Sequence, residues 1–106
     1  MRLQILHVHD CPNVAELEAL LVDLVGNRTD VEISRQLVED DEQAAALGMA
    51  GSPTLLINGA DAFAGPLDTP SFSCRLYRDD DGRLVAVPAV AQLRGALARG
   101  DARDGP

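Results

Sequence analysis

Two strands and the helix between them constrain this chain more than any other feature. Residues Leu3 to His9 carry apolar side chains at odd and even positions alike, Leu3 and Ile5 alternating with Leu6 and Val8. A strand of that kind is covered on both faces, so helices must flank the sheet that holds it. Asp10-Cys11-Pro12-Asn13 follows. Then come Val14, Leu17, Leu20, Leu21, Leu24 and Val25, spaced as one face of an amphipathic helix that ends at Gly26-Asn27. A second strand from about Val31 to Val38 completes a β-α-β unit, a right-handed crossover if its strands are parallel.

The remainder continues in the same manner. Asp40 or Asp41 starts a short helix, Glu42 to Leu47, stopped by Gly48. Gly51-Ser52-Pro53 leads into Thr54 to Ile57, a short apolar strand that proline enters where no ladder donor is needed. Residues Ala60 to Ser73, with Gly65, Pro66 and Pro70, read as a long irregular loop. Cys74 to Arg78 and Arg83 to Val87 alternate like strands across the hairpin turn Asp79-Asp80-Asp81-Gly82. A last helix from about Pro88 carries Val90, Leu93 and Leu97 on one face. The order β-α-β-α-β-β-α predicts an α/β fold, a mixed sheet with helices on both faces. The 106 residues suffice for one core. Residues 1–99 are expected to form one domain and residues 100–106 a disordered tail.

Charge narrows the partners. The formal net charge is -8, and all 9 basic residues are Arg. Such a surface repels phosphate backbones, so nucleic acid is not expected as a partner. Neither a basic amphipathic helix nor an apolar run of the ~20 residues needed to span a bilayer is present, so no membrane is expected either. The N-terminus lacks the apolar stretch of a signal peptide, which makes the expected compartment cytoplasmic. A permanent disulfide is disfavoured there, which leaves Cys11 and Cys74 for redox chemistry, soft-metal binding or plain burial.

Cys11 lies at the strand-to-helix junction, with Pro12 suited to the first helical position. That makes Cys11 the expected N-cap, where the positive helix end favours a thiolate. Asp10 opposes this by like charge and His9 assists if protonated. The site falls at the C-terminal end of a strand, where α/β sheets place their chemistry. Cys74 is either a core cysteine or a second thiolate; two thiolates satisfy a soft cation. His7 and His9, two apart, share a strand face but lack a third ligand. The Asp79-Asp80-Asp81 run reads as a solvated turn, without the closing glutamate of a calcium loop. Arg75 and Tyr77 read as decoration of a strand. No glycine-rich phosphate loop and no Ser/His/Asp arrangement is present.

The element order, the Cys11-Pro12-Asn13-Val14 turn, and Gly51-Ser52-Pro53-Thr54 before the third strand together resemble the thioredoxin-like superfamily across residues 1–99. The resemblance implies a thioredoxin-like three-layer sandwich, a reactive thiol at Cys11, and a cis-proline at Pro53 beside it, flanked by Ser52 and Thr54. The family's second motif cysteine falls on Val14, so vicinal dithiol exchange is not available. Asp10 to Asn13, Gly51 to Thr54 and Ser73 to Tyr77 also resemble small bacterial thioredoxin-like proteins named as alkylmercury lyase-like. That resemblance implies Cys11 and Cys74 as mercury ligands and Asp10 as an acid for the leaving carbon; the lyase's own aspartate falls on Val14.

Three functions follow. One is a thiol protein acting through Cys11 on a thiol or soft-metal substrate. The next is an organomercurial lyase-like or mercury-binding protein. The last is a non-catalytic interaction domain, whose surface around Gly51 to Thr54 and Phe63 docks a protein partner or a second copy as a homodimer. None of them calls for a cofactor.

Overall fold

The computed structural model describes residues 1–64 and 71–104. Strand β1 (Arg2–His7) leads through helix α1 (Val14–Val25) to strand β2 (Glu32–Leu37), which lies parallel to β1 with Leu3 opposite Ile33. Helix α2 (Asp41–Leu47) and the short β3 (Ala50–Ser52) come next. Strand β4 (Thr54–Ile57) then runs antiparallel along the other side of β1, and β5 (Ala60–Asp61) pairs beyond it. The result is a mixed four-stranded sheet, ordered β2-β1-β4-β5. Strand β6 (Ser71–Cys74) pairs in parallel with β3, outside that sheet. A small antiparallel ribbon, β7 (Tyr77–Arg78) with β8 (Leu84–Val85), precedes the last helix, α3 (Val90–Asp104). No helix among the described residues is long and apolar enough to cross a membrane.

The alternation read in the first strand sorts the core into two halves. Leu3 and Ile5 pack with Val14, Leu17 and Leu21 of α1, Leu55 and Ile57 of β4, and Leu93 and Leu97 of α3. Leu6 points the other way, into a smaller cluster with Val38, Ala44 of α2, Met49 and Leu56. Helices therefore cover both faces, because β1 and β4 carry apolar side chains on both.

Several boundaries differ from the expected ones. Asn13, not Cys11, is the N-cap of α1. Asp10 takes a left-handed conformation with φ 58°, so a turn separates the strand from the helix and leaves Cys11 and Pro12 ahead of it. Helix α2 starts as expected: Asp40 caps it, its carboxylate accepting from the Gln43 amide at 2.8 Å. The expected 60–73 loop contains β5 and the first three residues of β6, while residues 65–70, with Gly65, Pro66 and Pro70, lie outside the described residues. The expected second strand pair forms only as the ribbon, off the main sheet. Its turn is closed by Asp79, whose Oδ1 accepts from the amides of Asp81 and Arg83 at 3.0 and 2.9 Å.

Residues 100–104, expected as the start of a tail, continue α3; residues 105–106 lie outside the described ones. Two contacts explain the extension. Gly100 packs so closely that an added Cβ would sit 2.7 Å from Ile57 Cγ2. Arg28 also holds Asp101 through two hydrogen bonds of 2.8 and 3.0 Å while gripping Asp30 at 2.8 and 3.0 Å. The Arg28 hydrogen bond holds the Asp30 carboxyl at about 2, below its ordinary 3.8. A depressed carboxyl stabilises above its unfolded value and loses that contribution as pH falls through about 2. The carboxyl carbon of Asp30, followed by NMR, is expected to titrate at about 2 and to move up toward the ordinary value in Arg28→Met. An unchanged titration in that variant would show that the clasp does not form in solution.

Candidate functional site

The Ser52–Pro53 peptide bond, between β3 and β4, is cis, and both residues are buried. Side-chain hydroxyls fasten this segment on either side. Ser52 Oγ accepts from the Val8 amide at 3.1 Å. Thr54 Oγ1 donates to the Gly51 carbonyl at 2.5 Å and accepts from the Ala50 amide at 3.3 Å. Ser52 and Thr54, on either side of Pro53, are thus both tied to backbone groups.

Cys11 is half-buried, a free thiol packed against the core on the α1 and α3 side. Asp10 beside it is different. Its side chain is 90% exposed, with a carboxylate oxygen 3.7 Å from His9 Nε2, itself in solvent. The expected acid thus stands in water. Val14, where the resemblance implies a second cysteine in other proteins, is a core residue. β1 ends at His7, so His9 lies in the turn and the two histidines do not share a strand face. His7 Nδ1 is 3.0 Å from the Val8 carbonyl oxygen. Among the described residues no three His, Cys, Asp or Glu side chains gather to hold a metal.

Cys74 was expected to open a strand. It closes one instead: the chain returns from residues 65–70 as β6, which sets the Cys74 backbone opposite Ser52. The Arg75 amide then donates to the Ser52 carbonyl at 3.0 Å. The second cysteine is thereby brought level with the segment that precedes Pro53. Its side chain lies outside the described residues, as does that of Phe72 in the same strand.

Behind Pro53 is a polar cluster built on Arg75 and Tyr77, which are buried and do not merely decorate a strand. Arg75 is buried and Leu76, next in line, is 61% exposed. The Arg75 guanidinium donates to Asp61 Oδ2 at 2.9 Å, to Thr54 Oγ1 at 3.3 Å and to the Phe63 carbonyl at 2.8 Å. It also lies 4.6 Å from the centroid of the Tyr77 ring, a cation–π contact. Phe63 meets that ring edge-on at 5.6 Å. The Tyr77 hydroxyl donates to the Pro53 carbonyl. Burial pushes the Tyr77 hydroxyl up; the Arg75 guanidinium opposes this, and the Asp61 carboxylate adds to the rise. Tyr77 therefore stays protonated at neutral pH and remains a donor to Pro53.

No signal in the sequence marks Arg75 or Asp61 as partners. The one available hint is that Arg75 and Tyr77 are two apart and so share a face of an extended segment. No family model matches this chain, and no curated protein and no solved structure matches it either.

Replacing Tyr77 by Phe removes one buried hydrogen bond and orphans the Pro53 carbonyl. The expected cost is about 1–3 kcal/mol, read as a lower urea midpoint at unchanged m. An unaltered midpoint would mean that Pro53 finds another donor.

Proposed function

We propose that this chain is a thiol redox protein of thioredoxin-like architecture, in which Cys11 and Cys74 cycle between two thiols and one disulfide. The observation that carries the reading is the parallel register of Ser52 with Cys74. It brings the second cysteine's backbone to the Pro53 segment, whose carbonyl holds the Tyr77 hydroxyl; Cys11 packs against the same core cluster as Phe63, which meets the Tyr77 ring. The β-α-β opening and the cis bond at Pro53 agree with the thioredoxin-like arrangement. A thiolate attacks a substrate disulfide and the second thiol resolves the mixed disulfide. Two electrons and two protons pass from the protein's thiols to the substrate, which leaves as two thiols.

The same two thiols would suit a soft cation such as Hg(II). With Asp10 in solvent and Val14 in the core, binding of mercury is favoured over cleavage of a carbon–mercury bond.

Oxidised glutathione added to the reduced protein tests the redox reading. The expected product is an intramolecular disulfide, seen as a linked peptide carrying Cys11 and Cys74 after non-reducing digestion, and absent in Cys11→Ser and in Cys74→Ser. A stable glutathione adduct on wild-type Cys11, with Cys74 still free, would overturn the proposal.

A further inference from the structure

We infer that the groove at the C-terminal ends of β1 and β2 is a docking surface for a cationic segment of a partner protein that also carries leucine-like side chains. The groove encloses about 490 Å³ and is lined by Val8, His9, Leu37, Val38 and Glu39. Among the described residues that line it, Val8, Leu37 and Val38 are aliphatic. Val8 and Val38 belong to the α2-side core cluster, so the floor is held in place by packing. An aliphatic side chain of a partner has a preformed apolar seat there.

The rim selects the sign of that partner. Glu39 forms part of the wall, and the chain continues through Asp40, Asp41 and Glu42, all exposed. Asp10 stands in solvent at the other end, next to His9. The arginine on β2, Arg35, is held by Glu18 through two bonds of 2.7 Å, and among the described residues no arginine lines the groove. Arginine or lysine flanking the seated side chain therefore meets carboxylates. A second copy of this chain, with its net charge of -8, is repelled, as is a phosphate-bearing ligand. The groove also adjoins the Pro53 segment, because the Val8 amide donates to Ser52 Oγ. The inference stands apart from the thiol chemistry and uses neither cysteine.

The probe is a fluorescein-labelled, end-blocked peptide of alternating arginine and leucine, without cysteine, titrated with the whole protein and followed by anisotropy. Two variants make the same charge change at exposed positions: Glu39→Arg at the groove and Asp23→Arg on α1. Glu39→Arg is expected to weaken binding by about five-fold or more and Asp23→Arg by less than about two-fold. Replacing the leucines by glycine is expected to weaken it by about ten-fold. Equal losses in the two variants, or a glycine peptide that binds as well as the leucine one, would overturn the inference and leave only attraction to an acidic chain. Because the probe has no sulfur, its outcome is read separately from that of the glutathione experiment.

Discussion

Arg75→Met is expected to lower the stability of the protein by about 3–5 kcal/mol. The side chains of Arg75 and Asp61 are only 8% and 11% exposed, so the Asp61 charge left behind is largely shut off from water. The Phe63 carbonyl loses its guanidinium donor as well. The effect is read from urea unfolding, with the midpoint falling and the slope unchanged. A double variant separates the lost attraction from the orphaned charge. Arg75→Met with Asp61→Leu is expected to recover most of the loss, since no buried charge is then unpaired. A double variant as unstable as the single one would show that the network acts through shape and not through charge.

Gly51→Ala tests the same region from the backbone. Gly51 has φ 113°, outside what an alanine adopts comfortably, and an added Cβ would lie 2.7 Å from Arg75 Cβ and 3.1 Å from Arg75 Cα. The obstruction includes main chain, so no side-chain rotation relieves it. Backbone strain of ~1–3 kcal/mol and overpacking of ~1–3 kcal/mol together predict a loss of about 2–6 kcal/mol. The measurement is again the unfolding midpoint. Gly59→Ala is a useful comparison: its φ is 88°, but nothing lies within 4 Å of the added Cβ, so only the strain contribution is expected. Equal losses at the two positions would show that the approach of β3 to Arg75 is looser in solution.

Both predictions concern the join between β3 and the chain entering the ribbon, where reading the sequence was weakest. The β-α-β opening was legible because Leu3, Ile5, Leu6 and the α1 leucines obey strand and helix periodicity. The capped α2 was legible because Asp40 and Gly48 are local signals, satisfied within a turn. β6 was not, because a four-residue strand pairing with a three-residue one leaves no periodic trace. Arg75 was misplaced for a related reason. It reads as decoration of a strand, whereas distant Asp61, Thr54 and Phe63 make it favourable to bury the arginine.

The candidate site divides in the same way. Cys11, Pro53 and Cys74 could be chosen as residues from the sequence. Their relations to Tyr77 and Ser52 could not, since these depend on hydrogen bonds and pairings across long stretches of chain.

What the sequence determined alone is what short-range physics controls: which segments are apolar on both faces, where the capped helix α2 starts and stops, and how strongly acidic the chain is. The tertiary structure decided where β6 docks, which arginine is buried, and that Asp10 faces water while the Cys74 backbone reaches Ser52. A strand without its own periodicity, or a charge that is stable only beside its counterion, takes its place from groups far away along the chain. Such partners exist only once the rest of the molecule has folded around them.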